Sequence, residues 1–328
     1  MRPHLLALAL VAALAGCQQA DAPTAGSTSA ASQQAGDAAA DAAFADLSKR
    51  ALDTWMQLSP VSATQIGDHR YDSEIDDLSA AGQQKTVAAY KALLGELDRI
   101  DVAKLGRENQ VDAAILRNQL QSEIWNAEVL QSGKWDPQLY NGIAGSAIYG
   151  LMAREFAPLP ERLKSATARM EKLPAIFAQA RENLDPARVP KIHAETVAKQ
   201  NKGILSIVDT FITPHIGELP QADQQRLQAA IDGLKKAVDE QQTWLDKTLV
   251  PNAKGDFRIG AEKYDQKLKF ALSSSLSRQE IGERARAELK RVREDMYGIA
   301  QTVLKDKPGA PEMPAQPTDE QQQKAIEA

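Results

Sequence analysis

The sequence predicts an all-α fold: an irregular multi-helix array of long amphipathic helices, with at most a small hairpin near residues 251–260. Three observations carry this expectation. Apolar residues recur at intervals of three and four through most long segments, the spacing that lines one face of a helix. Proline and small polar residues punctuate those segments. The stretch PNAKGDFRIG at 251–260 is the one place with any strand character.

Taken in order, a first helix is expected over 38–58, with Phe44, Leu47, Ala51, Trp55 and Leu58 on one side and Ser59-Pro60 as its end. Residues 61–79, VSATQIGDHRYDSEIDDLS, keep no sustained period and read as a chemically varied loop. Ser79 can cap a helix reaching Leu97, with Val87, Tyr90, Leu94 and Leu97 inward. Another follows from about Glu108 through Leu116, Leu120, Ile124, Ala127 and Leu130. Residues 133–150 lose the stripe while keeping Trp135, Tyr140, Ile148 and Tyr149, and suggest a buried turn before a short helix.

The stripe is clearest after the break at Pro158-Leu159-Pro160, where Leu163, Ala166, Met170, Leu173, Phe177, Ala180 and Leu184 align. Pro160 fits a first helical turn, whose amide needs no partner; Pro174 falls inside the pattern and is expected to kink or divide the helix. A helix over 192–211 and a longer one over 221–249 come next, the latter with Leu227, Ile231, Leu234, Val238, Leu245 and Leu249 in line. Tyr264, Leu268, Ala271 and Leu272 form another helical face. Ser277 with Glu280 makes a capping box for a last helix bearing Ile281, Ala285, Val292, Met296, Ile299 and Val303.

The ends of the chain have a different composition. A mildly basic start, an apolar run from Leu5 to Leu14 and the sequence Leu14-Ala15-Gly16-Cys17 resemble a bacterial lipoprotein signal, with Cys17 as the lipid-bearing residue after cleavage. Cys17 is the only cysteine, so no intramolecular disulfide forms. In such lipoproteins a residue other than aspartate next to the cysteine, here Gln18, implies release to the outer membrane. The expected organisation is a signal peptide over 1–17, a disordered tether over 18–40, a helical domain over 41–305 and a disordered tail or linker over 306–328. The net charge of −5, with no basic block interleaved with aromatics, argues against a nucleic-acid partner.

Motifs of known chemistry are few. Zincin-type binding needs two histidines four residues apart on a helix, and His193 with Glu195 does not supply that spacing. No Gly-x-Ser-x-Gly elbow is present, Gly142, Gly145 and Gly150 do not form a phosphate loop, and the single thiol is assigned to lipid. No catalytic residue and no metal ligand is therefore assigned. The candidate cleft residues are Asp68, His69, Arg70 and Tyr71, where an imidazole lies among groups that can set its tautomer or meet a substrate carboxylate.

Three blocks carry a resemblance: Ser62 to Asp72 (SATQIGDHRYD), Arg154 to Leu163 (REFAPLPERL), and Gly255 to Gly260 (GDFRIG) followed by Tyr264-Asp265. Together they resemble the bacterial domain-of-unknown-function family 885, whose members look like secreted or lipidated, mostly helical, zinc-dependent peptidases. Members are usually nearly twice this length and carry a motif similar to His-Glu-x-x-Pro-Gly-His in the later half. No residues here match that motif, so no ligand is carried over. The resemblance implies the helical N-terminal portion of a metal-dependent peptidase-like envelope lipoprotein, supplying cleft or scaffold surface, with zinc belonging to the other portion. The implied partners are the membrane through its lipid, a C-terminal catalytic half, and a peptide substrate once assembled. The alternative is a stand-alone periplasmic binding or scaffold lipoprotein without enzymatic activity.

Overall fold

The structure, a computed structural model, describes residues 36–328. Cys17, the signal over 1–17 and most of the tether over 18–40 lie outside the described residues. The described chain is all-α, and among its residues β-pairing is limited to one isolated bridge between Pro190 and Gly255.

Helix α1 (Ala38–Leu58) opens where the Asp37 carboxylate accepts from the amides of Ala39 and Ala40. Proline then acts as a starter as well as a stop: Pro60 occupies the first turn of α2 (Pro60–Ile66), inside the stretch expected to be a loop. Seven residues are too few to show a period, which is why the pattern hid this helix. Gly67 ends it at φ 96°, a conformation with a steric cost for any residue carrying a Cβ.

The loop proper runs over 67–79, and Ser79 caps α3 (Ala80–Leu97) by accepting from the Gly82 amide. Helix α4 (Arg107–Trp125) continues into a π-type turn (Asn126–Leu130), and Gln131 in the left-handed region ends the run. Helices α1, α3 and α4 bury Phe44, Leu47, Tyr90, Leu93, Leu97 and Leu120 among themselves, forming one core.

A second and larger core is built on α6 (Leu159–Asn183), which packs against α5 (Gln138–Met152) and α9 (Gln221–Trp244). Leu163, Met170, Leu173 and Phe177 are buried there as the stripe predicts, and burying each leucine contributes roughly 1.5–3 kcal/mol. Pro174 does not divide α6. It removes one amide from the helix, but Leu173, Ile176 and Phe177 on either side are locked in the core, and that packing holds the segment in a single helix.

The expected helix over 192–211 is instead two, α7 (Lys191–Gln200) and α8 (Gly203–Phe211). Buried Asn201 lies at the break, and its amide donates to the Val238 carbonyl and to Gln242 Oε1 on α9. After α9 a π-type turn (Leu245–Leu249) leads to the single turn α10 (Val250–Asn252). The hairpin considered for 251–260 does not form. Lys254 and Gly255 instead donate their amides to the carbonyls of Pro186 and Val189, and a Cβ at Gly255 would lie 1.9 Å from the Arg188 carbonyl oxygen.

Helix α11 (Ala261–Leu272) rests on α4, where Asn118 donates to the Phe270 carbonyl and the Trp125 and Phe270 rings meet. Helix α12 (Arg278–Val303) begins with the predicted Ser277–Glu280 capping box. The segment over 306–328 is not a disordered tail. It folds back and forms α13 (Asp319–Glu327), opened by a Thr318–Gln321 capping box. Its few apolar residues converge: Ala310, Met313 and Ala325 pack with Tyr297, Ala300 and Leu304, and the Tyr297 hydroxyl donates to the Pro314 carbonyl at 2.8 Å.

Candidate functional site

The four candidate residues sit just past α2, in the loop over 67–79, and a residue from α6 anchors that loop. Arg169 is fully buried on the core face of α6, in the turn between Ala166 and Met170. Its Nε donates to the Glu74 carbonyl at 2.8 Å, its Nη1 to the Ala147 carbonyl at 3.0 Å, and its Nη2 to the Pro60 carbonyl at 3.0 Å and Thr64 Oγ1 at 2.7 Å. Burial lowers its pKa to about 10, against the opposing fields of Asp72, Asp76 and Glu74, so the guanidinium stays charged at neutral pH. A buried charge is tolerated only when its donors are satisfied, and here one side chain ties α2, α5 and the loop to α6.

From Arg169 a line of hydrogen bonds leads outward. Thr64 Oγ1 donates to Asp72 Oδ1 at 2.6 Å, and Asp72 Oδ2 lies 2.9 Å from His69 Nδ1. A carboxylate can only accept, so this contact assigns the His69 proton to Nδ1 and leaves Nε2 as the free basic nitrogen. The imidazole stacks on the Phe156 ring with centroids 3.6 Å apart and planes 10° from parallel. Lys172 reaches across from α6 to the Ser73 carbonyl and the Glu74 carboxylate, pinning the far side of the loop.

His69 and Phe156 open onto a surface recess of about 310 Å³ that Arg70, Glu161 and Arg162 also line. Arg162 is itself buried and donates to the carbonyls of Ala157, Met152 and Arg154, shaping the rim from α6. Arg70 is held by Asp68 and Asp53, and its hydrogen bonds hold the Asp68 carboxyl below the usual range. Of the four candidates, His69 and Arg70 face this recess, and Asp68 touches it through Arg70. Tyr71 turns away, its ring beneath the Arg70 guanidinium and lining a neighbouring recess with Gln57 and Leu58.

Chemically, an imidazole oriented through Nδ1 by a carboxylate has the arrangement of a general base. The nucleophile of a triad is not in place: Ser73 and Ser165 line the recess, and neither hydroxyl is hydrogen-bonded to His69. The arrangement suits recognition, with an aromatic shelf for an apolar or planar group and acidic and basic side chains around it. His215 pairs with Glu218, while His193 lies near Asp136 and Trp135; the two histidines form no joint site. Among the described residues no three His, Cys, Asp or Glu side chains gather as metal ligands. The described residues therefore do not fit a zinc site.

A second concavity of about 340 Å³ lies between α1, α3 and the π-type turn after α4, and the pattern of the sequence does not single it out. Asp76, Tyr90 and Glu123 line it with Trp55. Burial raises the pKa of both carboxyls, and it raises that of Tyr90 together with the fields of Glu123 and Asp76. Asp76 sits in a stretch with no period, and Glu123 reads as one more polar helix residue. Phe156 and Arg162 do belong to the conspicuous REFAPLPERL block.

Comparison with known proteins matches one family model and solved structures of similar fold. The model of "Bacterial protein of unknown function (DUF885)" matches residues 60–327. A solved structure from Shewanella oneidensis, described as a candidate lipoprotein of unknown function, matches with a TM-score of 0.74 and 30% identity. The match covers 86% of this chain and 51% of that one, so this chain spans about half the length of its structural relative. No curated protein matches the chain. With most of its length inside the family model, and with a relative of the same fold, the chain belongs to the DUF885 family of bacterial proteins.

Proposed function

We propose that this chain is the helical, substrate-facing part of a peptidase-like cell-envelope lipoprotein, one that is not catalytic alone and supplies cleft wall and scaffold. The observation that carries this reading is the recess at His69 and Phe156. Its loop is held from beneath by a buried arginine, its imidazole is oriented by Asp72, and no nucleophile or metal set accompanies it. Rigid support under an exposed polar loop is the usual arrangement of a binding surface. An extended peptide fits it chemically, placing an apolar side chain on the ring shelf and its polar backbone against Arg70 and Glu161.

The anchoring part of the reading rests on Cys17 and on the solved relative's description as a candidate lipoprotein. Zinc and hydrolysis belong, in this reading, to the part of the solved relative's length that lies outside the match. The test is to titrate the full chain with a panel of short synthetic peptides, following the His69 imidazole resonances and assaying hydrolysis with and without added zinc. Saturable shifts at His69, lost in Phe156→Ala, with no hydrolysis, are expected. Hydrolysis by this chain alone, or no peptide response at His69, would overturn the reading.

A further inference from the structure

One helix of this molecule has an apolar face that no described residue covers. Along α12, Leu289, Val292, Met296, Ile299 and Val303 follow one another at steps of three, four, three and four, and all are exposed. Leu289 and Ile299 keep 61% and 63% of their surface open, while the buried residues of this 26-residue helix are Tyr297 and Ala300, which turn instead toward α13. Scattered exposed leucines mean little, but an aligned stripe of five is a seam.

The spacing identifies the kind of surface that covers it. A repeat averaging 3.5 residues keeps its stripe straight along a neighbouring helix, and a helix is what such a seam receives. The flanks carry charges of both signs: Arg286 and Arg293 lie along one edge, where Arg293 donates to Gln323 and to the Asp319 carbonyl of α13, and Glu288 and Asp295 lie along the other, where both pair with Arg291. Mixed flanks do not suit an anionic lipid surface, which selects a basic polar face.

The occupant follows from length. The same fold occurs in the Shewanella oneidensis relative within a chain of which this one matches only 51%. We infer that the α12 stripe is the docking seam for an amphipathic helix from the part of the family relative's length that lies outside the match. This rests on the reading that the chain supplies one part of a larger assembly, but not on that assembly being a peptidase.

The test pairs this chain with its full-length relative. V292E/I299E is made in this chain and at the two aligned positions of the intact Shewanella oneidensis protein, and thermal unfolding is followed in each. Because the stripe is open here, the full chain should keep its melting temperature within about 1 °C, while the relative, where the seam is covered, should lose roughly 5 °C or more. An unchanged relative would overturn the inference. So would a destabilised variant of this chain accompanied by a wild-type dimer in sedimentation velocity, which would make a second copy the occupant. Peptide hydrolysis by the relative is a separate readout: a covered seam in a protein without peptidase activity would retain this inference and remove the functional reading.

Discussion

Helices α6 and α12 are of nearly equal length, 25 and 26 residues, and both carry an apolar stripe, yet they have opposite fates. On α6 the stripe is covered along its whole length by α5 and α9, and even an arginine within it is fully satisfied. On α12 the stripe faces solvent, and the helix is steadied mainly by α13 on another side. Amphipathic pattern thus marks a face suited to burial without saying which segment covers it. The helix whose stripe is covered supports the loop of the candidate site; the stripe of the other is covered by no described residue.

The sharpest way to break this contrast is at Arg169. Replacing it with methionine removes the guanidinium donors from the carbonyls of Pro60, Glu74 and Ala147 and unseats the loop over 67–79, at a cost of about 3–5 kcal/mol in chemical denaturation. Arg169→Lys should also destabilise strongly, because one ammonium cannot reproduce the fork that spans these acceptors. Equal stability of Arg169→Lys and wild type would show that the loop is held by something else.

Next in size is a matched truncation. Leu173→Ala in α6 should cost about 2–5 kcal/mol, whereas Ile299→Ala in α12 should stay within about 0.5 kcal/mol, both read from urea midpoints. Comparable losses would mean that α12 is packed as α6 is. Smaller again is the cap: Ser277→Ala removes one acceptor from the start of α12 and should cost about 1 kcal/mol of helix stability, visible as faster amide exchange in its first turn.

The smallest expected effect is a pH dependence in the concavity between α1, α3 and α4. Burial raises the folded-state pKa of Asp76 and Glu123, so the folded protein binds more protons than the unfolded chain above the ordinary carboxylate range. Stability contributed by these two groups therefore falls as pH rises from the ordinary value through the shifted one. Glu123→Gln should raise the melting temperature at pH 7, and the gain should vanish as pH drops toward 4. A gain that grew on acidification would contradict the sign.

Much of this was legible beforehand, and the failures have identifiable causes. Helices with long stripes, α1, α3, α4, α6 and α9, follow directly from spacing, and the Ser277 box was visible because its chemistry is local. The division between α7 and α8 was not, since Asn201 earns its place at the break through bonds to Val238 and Gln242 on a distant helix. The helix at 319–327 was hidden because its stabilising contacts come from Tyr297 and Leu304, outside its own polar sequence. At the site, His69 and its partner Asp72 could be picked from one loop. Arg169 and Phe156 could not be joined to that loop, because only the packing of α6 and the segment before it brings them there.

Hydrogen exchange of the intact chain under native conditions tests the central contrast most directly. The α6 amides from Ala166 to Ala180 should exchange only through global unfolding, whereas amides along α12 from Leu289 to Val303 should exchange through local opening, at least about tenfold faster and without dependence on protein concentration. Protection of α12 equal to that of α6 would contradict it, because a helix with an uncovered stripe and one principal neighbour cannot be as secure as one at the centre of the core.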